Sequence, residues 1–244
     1  MLPPFHWWRT VFFLIPSISV YTLVLGCLSV GSCLLGGTGN FAHRCARTWS
    51  WLILATTGVR VSVSGREHLP RGQACLVVAN HQSIYDIPIV FWSLPYQLRI
   101  IAKDSLGRFP VLGAHLARTG HILVDRRSPG SRVLAQVSSL MSRGVSLMVF
   151  PEGTRSVDGS VGRFRGGVFL PAIEAGLPIV PVSLSGSRHV MRKGRLTTCP
   201  GRVRLTIHPV IPTASLDVSD AKALAARAQA VVAAAVTTGE RPRA

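Results

Sequence analysis

A long uncharged segment near the N-terminus constrains this chain more than any other feature. Residues 10–42 contain no Asp, Glu, Lys or Arg, and residues 11–35 are almost wholly apolar with interspersed Ser, Thr, Gly and Tyr. A helix that spans a bilayer needs about 20 such residues. The segment is therefore long enough to cross a membrane, or to form a helical hairpin at the glycine-rich positions without crossing.

The next residues also have the composition of a membrane segment. FAHRCARTWSWLILATTGV, residues 41–59, carries basic residues early and tryptophans among aliphatics, which predicts an interfacial helix along the membrane surface. A cleaved secretory signal is the competing interpretation, because Arg9 precedes the apolar run and VGSC at 30–33 loosely resembles a lipoprotein cleavage box. The run is longer than an ordinary signal core, so we assign residues 1–59 to N-terminal membrane-anchoring helices.

The charge of the chain predicts an anionic partner. Lys and Arg number 27 against 10 Asp and Glu, for a formal net charge of +17. Nucleic acid, anionic lipid headgroups and phosphorylated substrates all fit such a charge. Nucleic acid fits least well, because the basic residues are scattered and no recognised nucleic-acid-binding motif is present. No metal site is predicted, since metal-ligand spacing is absent among the five cysteines, at 27, 33, 45, 75 and 199.

Strand-like runs alternate with segments of helical length through most of the chain. The runs are CLVVAN, LRIIAK, HILVDR, SLMVFPEG, PIVPVSLSG and RVRLTIHP. Residues 128–144, between two of them, keep apolar residues at a helical spacing. This alternation predicts an α/β domain, residues 60–215, with a mixed, largely parallel sheet flanked by helices.

The C-terminal part, residues 216–244, is predicted to be a helix and a tail. Residues 219–236 are rich in alanine and can be capped by Ser219 or Asp217. The expected role of this helix is packing.

NHQSIYD, residues 80–86, joins a buried strand to a helix. Ser83 and Asp86 resemble a capping box that opens the helix, and Pro88 is comfortable only in the first turn. His81 would then lie at the turn, where Asp86 could hold one ring nitrogen as in serine hydrolases. No G-x-S-x-G nucleophile elbow is present, so the pair would instead activate a hydroxyl of the substrate. The alternative is a turn histidine beside a helix cap.

FPEGTRS, residues 150–156, supplies a carboxylate, a glycine, a hydroxyl and a guanidinium directly after another strand. Gly153 lets the backbone approach a ligand closely, and the fork of Arg155 matches phosphate oxygens. RFRGG at 163–167 adds two arginines. Alone, the motif could be a turn with a surface ion pair. Because ligands of α/β sheets bind at strand ends, the two motifs together predict one site.

These residues resemble the membrane-associated glycerolipid acyltransferases, and most closely the 1-acylglycerol-3-phosphate acyltransferases. NHQSIYD matches the family's N-H-x-x-x-x-D block and FPEGTRS its E-G-T-R block, in the expected order. GHILVDRR at 120–127 and LPIVPVSLSGS at 177–187 resemble two further blocks, and the resemblance covers about residues 60–210. One departure is Asp104-Ser105, where the family commonly has Glu-Leu after a lysine, and it bears on substrate preference.

The resemblance implies a reaction and a set of site residues. A fatty acyl group would pass from acyl-CoA or acyl carrier protein to the free hydroxyl of 1-acylglycerol 3-phosphate, forming phosphatidate, without a cofactor or a metal. His81 would be the general base and Asp86 would orient it. The acceptor phosphate would be held by Glu152, Gly153, Thr154 and Arg155, with Arg126 and Lys103 as secondary candidates. Since ionised Glu152 cannot bind phosphate directly, its expected task is to fix Arg155 or the loop.

The resemblance also implies a place for the enzyme and its fold. The expected fold is an α/β domain with an N-terminal helical membrane element. Basic residues from Arg44 onward favour a catalytic domain on the cytoplasmic face of the inner membrane. The partners would be a lysophospholipid, the acyl donor and the membrane, with no nucleic acid.

Three alternatives stay open from the sequence. The acceptor could be another lysolipid, such as a lyso-ornithine lipid or another lysophospholipid. The chain could be a basic membrane-surface scaffold that binds lipid without turnover. It could also be a phosphatase or hydrolase that uses the His/Asp pair on water and needs no acyl donor.

Overall fold

One mixed sheet organises the chain in the computed structural model, which describes residues 4–37, 39–124 and 131–236. The strands are β1 Val59–Ser64, β2 Leu76–Ala79, β3 Leu98–Lys103, β4 Ile122–Val124, β5 Ser146–Val149, β6 Ile179–Ser185 and β7 Gly201–Ile207. Their order in the sheet is β1-β7-β6-β2-β5-β3-β4. Neighbouring strands are parallel except β6 and β7, which are antiparallel. The predicted mixed, largely parallel sheet is confirmed.

The six predicted strands are present, and β1 is an additional one. VRVSVS alternates buried or half-buried valines with exposed Arg and Ser, which is typical of a strand with one solvated face. It follows directly on the helix that ends at Thr57, so the sequence interpretation placed its first residue in the membrane segment.

Helices cover both faces of the sheet. They are α1 Phe5–Arg9, α2 Ile15–Leu34, α3 Asn40–Thr57, α4 Asp86–Ser93, α5 Pro110–Arg118, α6 Ser131–Ser142, α7 Leu170–Glu174, α8 Ser187–Val190 and α9 Ala221–Ala235. Side chains of α3, α4 and α5 share one apolar core with one face of the sheet. Side chains of α6, α7 and α9 form a second core with the other face.

The N-terminal apolar run forms one continuous helix. α1, a π-helical turn at Thr10–Leu14 and α2 make up a helix from Phe5 to Leu34 that is long and apolar enough to cross a membrane. Phe12 and Leu23 on it are exposed, as expected for a membrane-associated segment. The chain reverses after Leu34, and α3 packs back against α2. We call α1, α2 and α3 the hairpin; its turn contains Gly36, Gly37 and Gly39, the glycine-rich positions at which a hairpin was predicted.

The helix after NHQSIYD begins at Asp86, and the predicted capping box is only half formed. Asp86 Oδ2 accepts a hydrogen bond from the Ser83 N–H at 2.8 Å. The Ser83 hydroxyl accepts from the Tyr85 N–H at 3.3 Å, not from Asp86. The helix therefore starts two residues later than a full box with Ser83 as N-cap would place it, and Pro88 lies in the first turn, where a proline is tolerated.

The C-terminal helix has the predicted packing role. Asp217, not Ser219, caps the chain there, through a capping box with Asp220 that opens a 3₁₀ turn before α9. Leu224 and Val232 are almost fully buried against the sheet.

Gly65, directly after β1, is required by backbone geometry. Its φ is +78°, and a Cβ there would lie 2.0 Å from the Ile207 carbonyl oxygen. Gly72 has a similar φ of +74° but no atom within 4 Å of such a Cβ. Left-handed backbone costs an L-residue about 1–2 kcal/mol at either position.

We predict that Gly65→Ala lowers the thermal unfolding temperature more than Gly72→Ala does. Only the first substitution adds a clash with backbone to the shared cost of positive φ. Each further 1 kcal/mol corresponds to about 2–4 °C for a chain of this size. Thermal unfolding of both variants in detergent measures the difference, and equal temperatures would contradict the close approach of Gly65 to β7.

Candidate active site

The two motifs follow neighbouring strands at one edge of the sheet. NHQSIYD follows β2 and FPEGTRS follows β5, and these strands are parallel and adjacent. Asn80 joins this edge to β6, because its fully buried side chain donates to the Leu184 carbonyl at 2.9 Å and accepts from the Leu184 N–H at 2.8 Å. The loops that carry the candidate residues therefore begin from a rigid edge.

His81 and Asp86 meet across the turn. His81 Nδ1 lies 2.8 Å from Asp86 Oδ2, and Asp86 is fully buried. The same oxygen accepts the backbone N–H groups of Gln82 at 2.7 Å and Ser83 at 2.8 Å. Because a carboxylate oxygen only accepts, Nδ1 donates to it, and in the neutral ring Nε2 is then the nitrogen with the free lone pair. The arrangement suits an imidazole that accepts a proton at Nε2.

The imidazole is held on its other sides as well. The ring of His81 stacks on Phe150 with centroids 3.9 Å apart and 13° between the planes. The His81 carbonyl accepts from the Ser156 N–H at 2.7 Å. His81 is 8% exposed, so the ring is fixed in place with only a small opening to the surroundings.

Glu152 links the two motif loops. Its Oε1 accepts from the His81 N–H at 2.7 Å and its Oε2 from the Gly162 N–H at 2.9 Å. Burial raises the pKa of this carboxyl above its ordinary value, while the two N–H donors act in the opposite direction. Glu152 thus fixes the loop, which is one of the two tasks expected from the sequence. In the described part of the chain it makes no hydrogen bond or ion pair with the Arg155 side chain, which was the other expected task.

The loops beside the pair are strongly basic. Residues 153–165 hold three arginines and one acid, Asp158, and residues 186–200 hold four basic residues and no acid. Lys193 connects these loops, since its Nζ donates to the Thr154 hydroxyl at 2.9 Å and to the Arg155 carbonyl at 3.0 Å. Gly153 has φ +72°, and a Cβ there would lie 3.1 Å from Arg165 Cζ. This surface suits an anionic ligand.

The remaining predicted site residues are Thr154, Arg155, Lys103 and Arg126. Thr154 is exposed and Arg155 half-buried, and the Arg155 guanidinium pairs with no carboxylate in the described residues. Lys103 ends β3, whose carboxyl end lies at the same edge of the sheet. Arg126 lies outside the described residues.

Two apolar cavities lie between the hairpin and the site. One of about 220 Å³ is lined by residues that include Leu25, Ile84, Ile87, Phe91, Leu112 and Leu116. The other, of about 200 Å³, is lined by residues that include Leu14, Ile18, Trp49, Ile84, Tyr85 and Leu196. Ile84, within NHQSIYD, lines both, so each cavity reaches the loop that holds His81.

Among the described residues, no Asp, Glu, Lys or Arg side chain lines the larger cavity. His115 lines it, and burial, followed by the nearby Arg99, lowers the pKa of His115 to about 4. Its ring Nδ1 is hydrogen-bonded to the Ser29 hydroxyl at 2.7 Å. Among the described residues, no group of three His, Cys, Asp or Glu side chains is arranged to hold a metal ion.

Sequence reasoning missed Lys193 and Phe150. Lys193 stands in MRKGR, a basic run with no motif spacing to the other site residues. Phe150 is the first residue of FPEGTRS, and its aromatic ring beside a motif glutamate was the available signal.

Comparisons with known proteins agree with this geometry. The sequence profile of the acyltransferase family matches residues 60–185. A protein of Chlamydomonas reinhardtii described as a 1-acyl-sn-glycerol-3-phosphate acyltransferase is 37% identical over 158 residues, which are 63% of this chain and 47% of that protein. The human 1-acyl-sn-glycerol-3-phosphate acyltransferase alpha is 32% identical over 219 residues, 88% of this chain and 77% of the human protein. This chain thus spans about half the length of the algal relative.

A solved structure also has this fold. The crystal structure of the 1-acyl-sn-glycerophosphate (LPA) acyltransferase PlsC from Thermotoga maritima matches with a TM-score of 0.74 and 27% sequence identity. The match covers 89% of this chain and 92% of that one, so the hairpin and the sheet belong to one shared architecture.

We predict that Glu152→Gln removes a pH-dependent part of the stability. Because the folded-state pKa of Glu152 is raised, the folded protein keeps a proton above the ordinary pKa of 4.5 that the unfolded chain has released. The stability from this residue therefore falls as the pH rises through that window. Glutamine does not titrate, so the unfolding temperature of the parent minus that of the variant should decrease from pH 4.5 upward. A difference that is constant with pH would contradict the raised pKa.

Proposed function

Because this chain belongs to the acyltransferase family, we propose that it transfers a fatty acyl group from acyl-CoA or acyl carrier protein to the free hydroxyl of 1-acylglycerol 3-phosphate. The product is phosphatidate, formed in phospholipid biosynthesis. The observation that carries the proposal is the buried hydrogen bond of 2.8 Å between His81 and Asp86, beside a basic surface and two apolar cavities. The names of the relatives and of the matching crystal structure support the same acceptor.

In the proposed reaction the acceptor hydroxyl oxygen attacks the thioester carbonyl carbon. The new C–O bond forms as the C–S bond breaks, and His81 Nε2 takes the hydroxyl proton and then gives it to the departing thiolate. Asp86 keeps the ring oriented and stabilises the imidazolium. A positioned base of this kind contributes about 10²–10⁴-fold to the rate. No covalent acyl-enzyme intermediate is needed.

The acceptor phosphate is proposed to bind at the basic loops. Arg155 can make charge-assisted hydrogen bonds to phosphate oxygens, which are about twice as strong as neutral ones. Thr154 and Gly153 line the same loop, and Lys193 adds a second cation that is bonded to it. Glu152 acts as a positioning residue, because both of its oxygens already accept backbone N–H groups. Lys103 and Arg126 remain secondary candidates.

The two cavities are proposed to hold acyl chains. The reaction brings two chains together, one on the donor and one on the lysolipid, and both must reach the same hydroxyl. Keeping a chain in apolar surroundings avoids a cost of about 0.8 kcal/mol for each CH₂ moved into water. Ile84, which lines both cavities, is three residues from the proposed base.

The proposed location is the cytoplasmic face of the inner membrane. The hairpin would hold the site at the lipid surface, where both the lysolipid and its product reside. Arg44 and Arg47 follow the apolar helix, and a basic domain follows them, which favours the cytoplasmic side. Acyl donors are present on that side.

We predict that His81→Ala lowers phosphatidate formation by two or more orders of magnitude, since the base is removed. The assay incubates detergent-solubilised protein with lysophosphatidate and labelled acyl-CoA or acyl carrier protein. His208→Ala is the control, because His208 also makes one side-chain hydrogen bond, to Ser183, but follows β7 at the opposite edge of the sheet.

The other possible results of this assay distinguish the alternative functions. Equal activity of the His81→Ala variant and the parent would rule out His81 as the base. If labelled product forms only with a lyso-ornithine lipid or another lysophospholipid, that lipid is the acceptor in place of 1-acylglycerol 3-phosphate. Release of free fatty acid or phosphate without transfer would indicate a hydrolase. No turnover with any acceptor would favour a lipid-binding scaffold.

We predict that Lys193→Gln raises the KM for lysophosphatidate and leaves kcat nearly unchanged, because a cation beside Thr154 is lost while the base is intact. The effect should be larger for this phosphomonoester than for a lysophospholipid phosphodiester, which has less negative charge. Steady-state kinetics with both acceptors measure it, and Lys222→Gln on α9 is the matched control. If the KM of the variant divided by the KM of the parent is the same for both acceptors, Lys193 lies outside the phosphate site.

A further inference from the structure

We propose that the exposed face of β1 and β7 docks an acidic, water-soluble protein, namely the carrier-protein form of the acyl donor. The face is defined by Arg60, Arg202 and Arg204, and we call it the arginine face. This inference rests on the proposed function and extends it by naming the donor and where it binds.

The arginine face concentrates positive charge without a counterion. Arg60 and Arg202 are direct partners in the register of the parallel pair, and Arg204 lies two residues further along β7 on the same face. All three are exposed, and none makes an ion pair in the part of the chain that the structure describes. Adjacent strands lie about 4.8 Å apart, and like charges side by side destabilise a sheet. An acidic partner would offset that cost.

The arginines point away from the hairpin. Val59 of β1 and Val203, Leu205 and Ile207 of β7 are buried in the core that α3 and α4 share with the sheet. Successive side chains of a strand point to opposite faces. The arginine face therefore lies on the side of the sheet opposite the hairpin and its exposed apolar residues. Since the face is turned away from the hairpin, we expect its partner to be in water rather than in a lipid surface that contacts the hairpin.

The arginine face also lies at the edge of the sheet that holds the candidate site. β7 is antiparallel to β6, and Arg204 pairs with Ser185, the last residue of β6. Arg202 thus extends beyond the end of β6, toward the side where NHQSIYD and FPEGTRS leave their strands. The loop before β7 carries Arg192 and Arg195, both exposed, and Lys193, which is bonded to Thr154.

The position and charge of this surface fit a carrier protein. A partner with a row of carboxylates could pair with the arginine face while its thioester arm passes along the basic loop toward His81. Complementary charge raises the association rate and selects the partner. Coenzyme A also carries phosphates, but it has no protein surface that would span two strands beyond the site.

The test compares the two donors with one triple variant, Arg60→Gln, Arg202→Gln and Arg204→Gln. With acyl carrier protein, KM should rise about tenfold or more and kcat at saturation should change little, because docking is weakened and chemistry is not. With acyl-CoA, both constants should stay near those of the parent. The salt dependence of kcat/KM for the carrier protein should also decrease in the variant.

A control variant removes the same charge elsewhere. Arg71→Gln, Lys222→Gln and Arg227→Gln takes away three exposed cations, in the loop before β2 and on α9. It should resemble the parent with both donors. If both triple variants unfold at the same temperature as the parent, both are folded.

Four results would overturn the inference: an unchanged KM for the carrier protein, an equal loss with both donors, the same loss in the control variant, or a loss that appears only in vesicles of anionic lipid. Direct binding of fluorescently labelled acyl carrier protein to parent and variant tests docking independently of turnover. If the parent forms no phosphatidate with either donor, the proposed function fails. If the parent is active and both variants bind the carrier protein equally, only the docking surface fails.

Discussion

The candidate site depends on one buried carboxylate oxygen. Asp86 Oδ2 accepts hydrogen bonds from the His81 ring and from two successive backbone N–H groups. Without this acceptor the turn would leave buried donors unpaired, at about 1–3 kcal/mol each. The same oxygen determines which ring nitrogen carries the hydrogen, so the path of the turn and the chemistry of the imidazole have one cause. The other oxygen, Oδ1, is buried without a partner in the described chain.

The sheet brings the rest of the site to this oxygen. Parallel pairing of β2 with β5 sets the two motif loops side by side. Glu152, in the second loop, accepts hydrogen bonds from the His81 N–H of the first loop and from the Gly162 N–H further along its own chain segment. The hairpin packs on one face and encloses the apolar cavities next to Ile84. The other face of β1 and β7 is open to solvent and basic. The proposed lipid acceptor and the proposed soluble donor would thus reach the site from different sides.

Much of this architecture could be predicted from the sequence, because the signals are local. Apolar runs of four to seven residues predicted six strands, and residue order within NHQSIYD predicted that His81 and Asp86 meet across a turn. Edge strand β1 was missed, since its alternating Arg and Ser follow a helix without a break. α4 begins at Asp86, later than a Ser83 cap would place it and as Pro88 indicated, because the Asp86 carboxylate faces His81 and completes only half of a capping box. Contacts distant in sequence, such as that of Lys193 with Thr154, have no local signal.

The most direct measurement is the position of bound lysophosphatidate in a crystal structure of the protein without an acyl donor. The account predicts the free hydroxyl oxygen within hydrogen-bond distance of His81 Nε2, about 2.6–3.2 Å, and the phosphate on Arg155 and Lys193. A hydroxyl that faces away from Nε2, with the phosphate bound elsewhere, would contradict the assignment of His81 as the base.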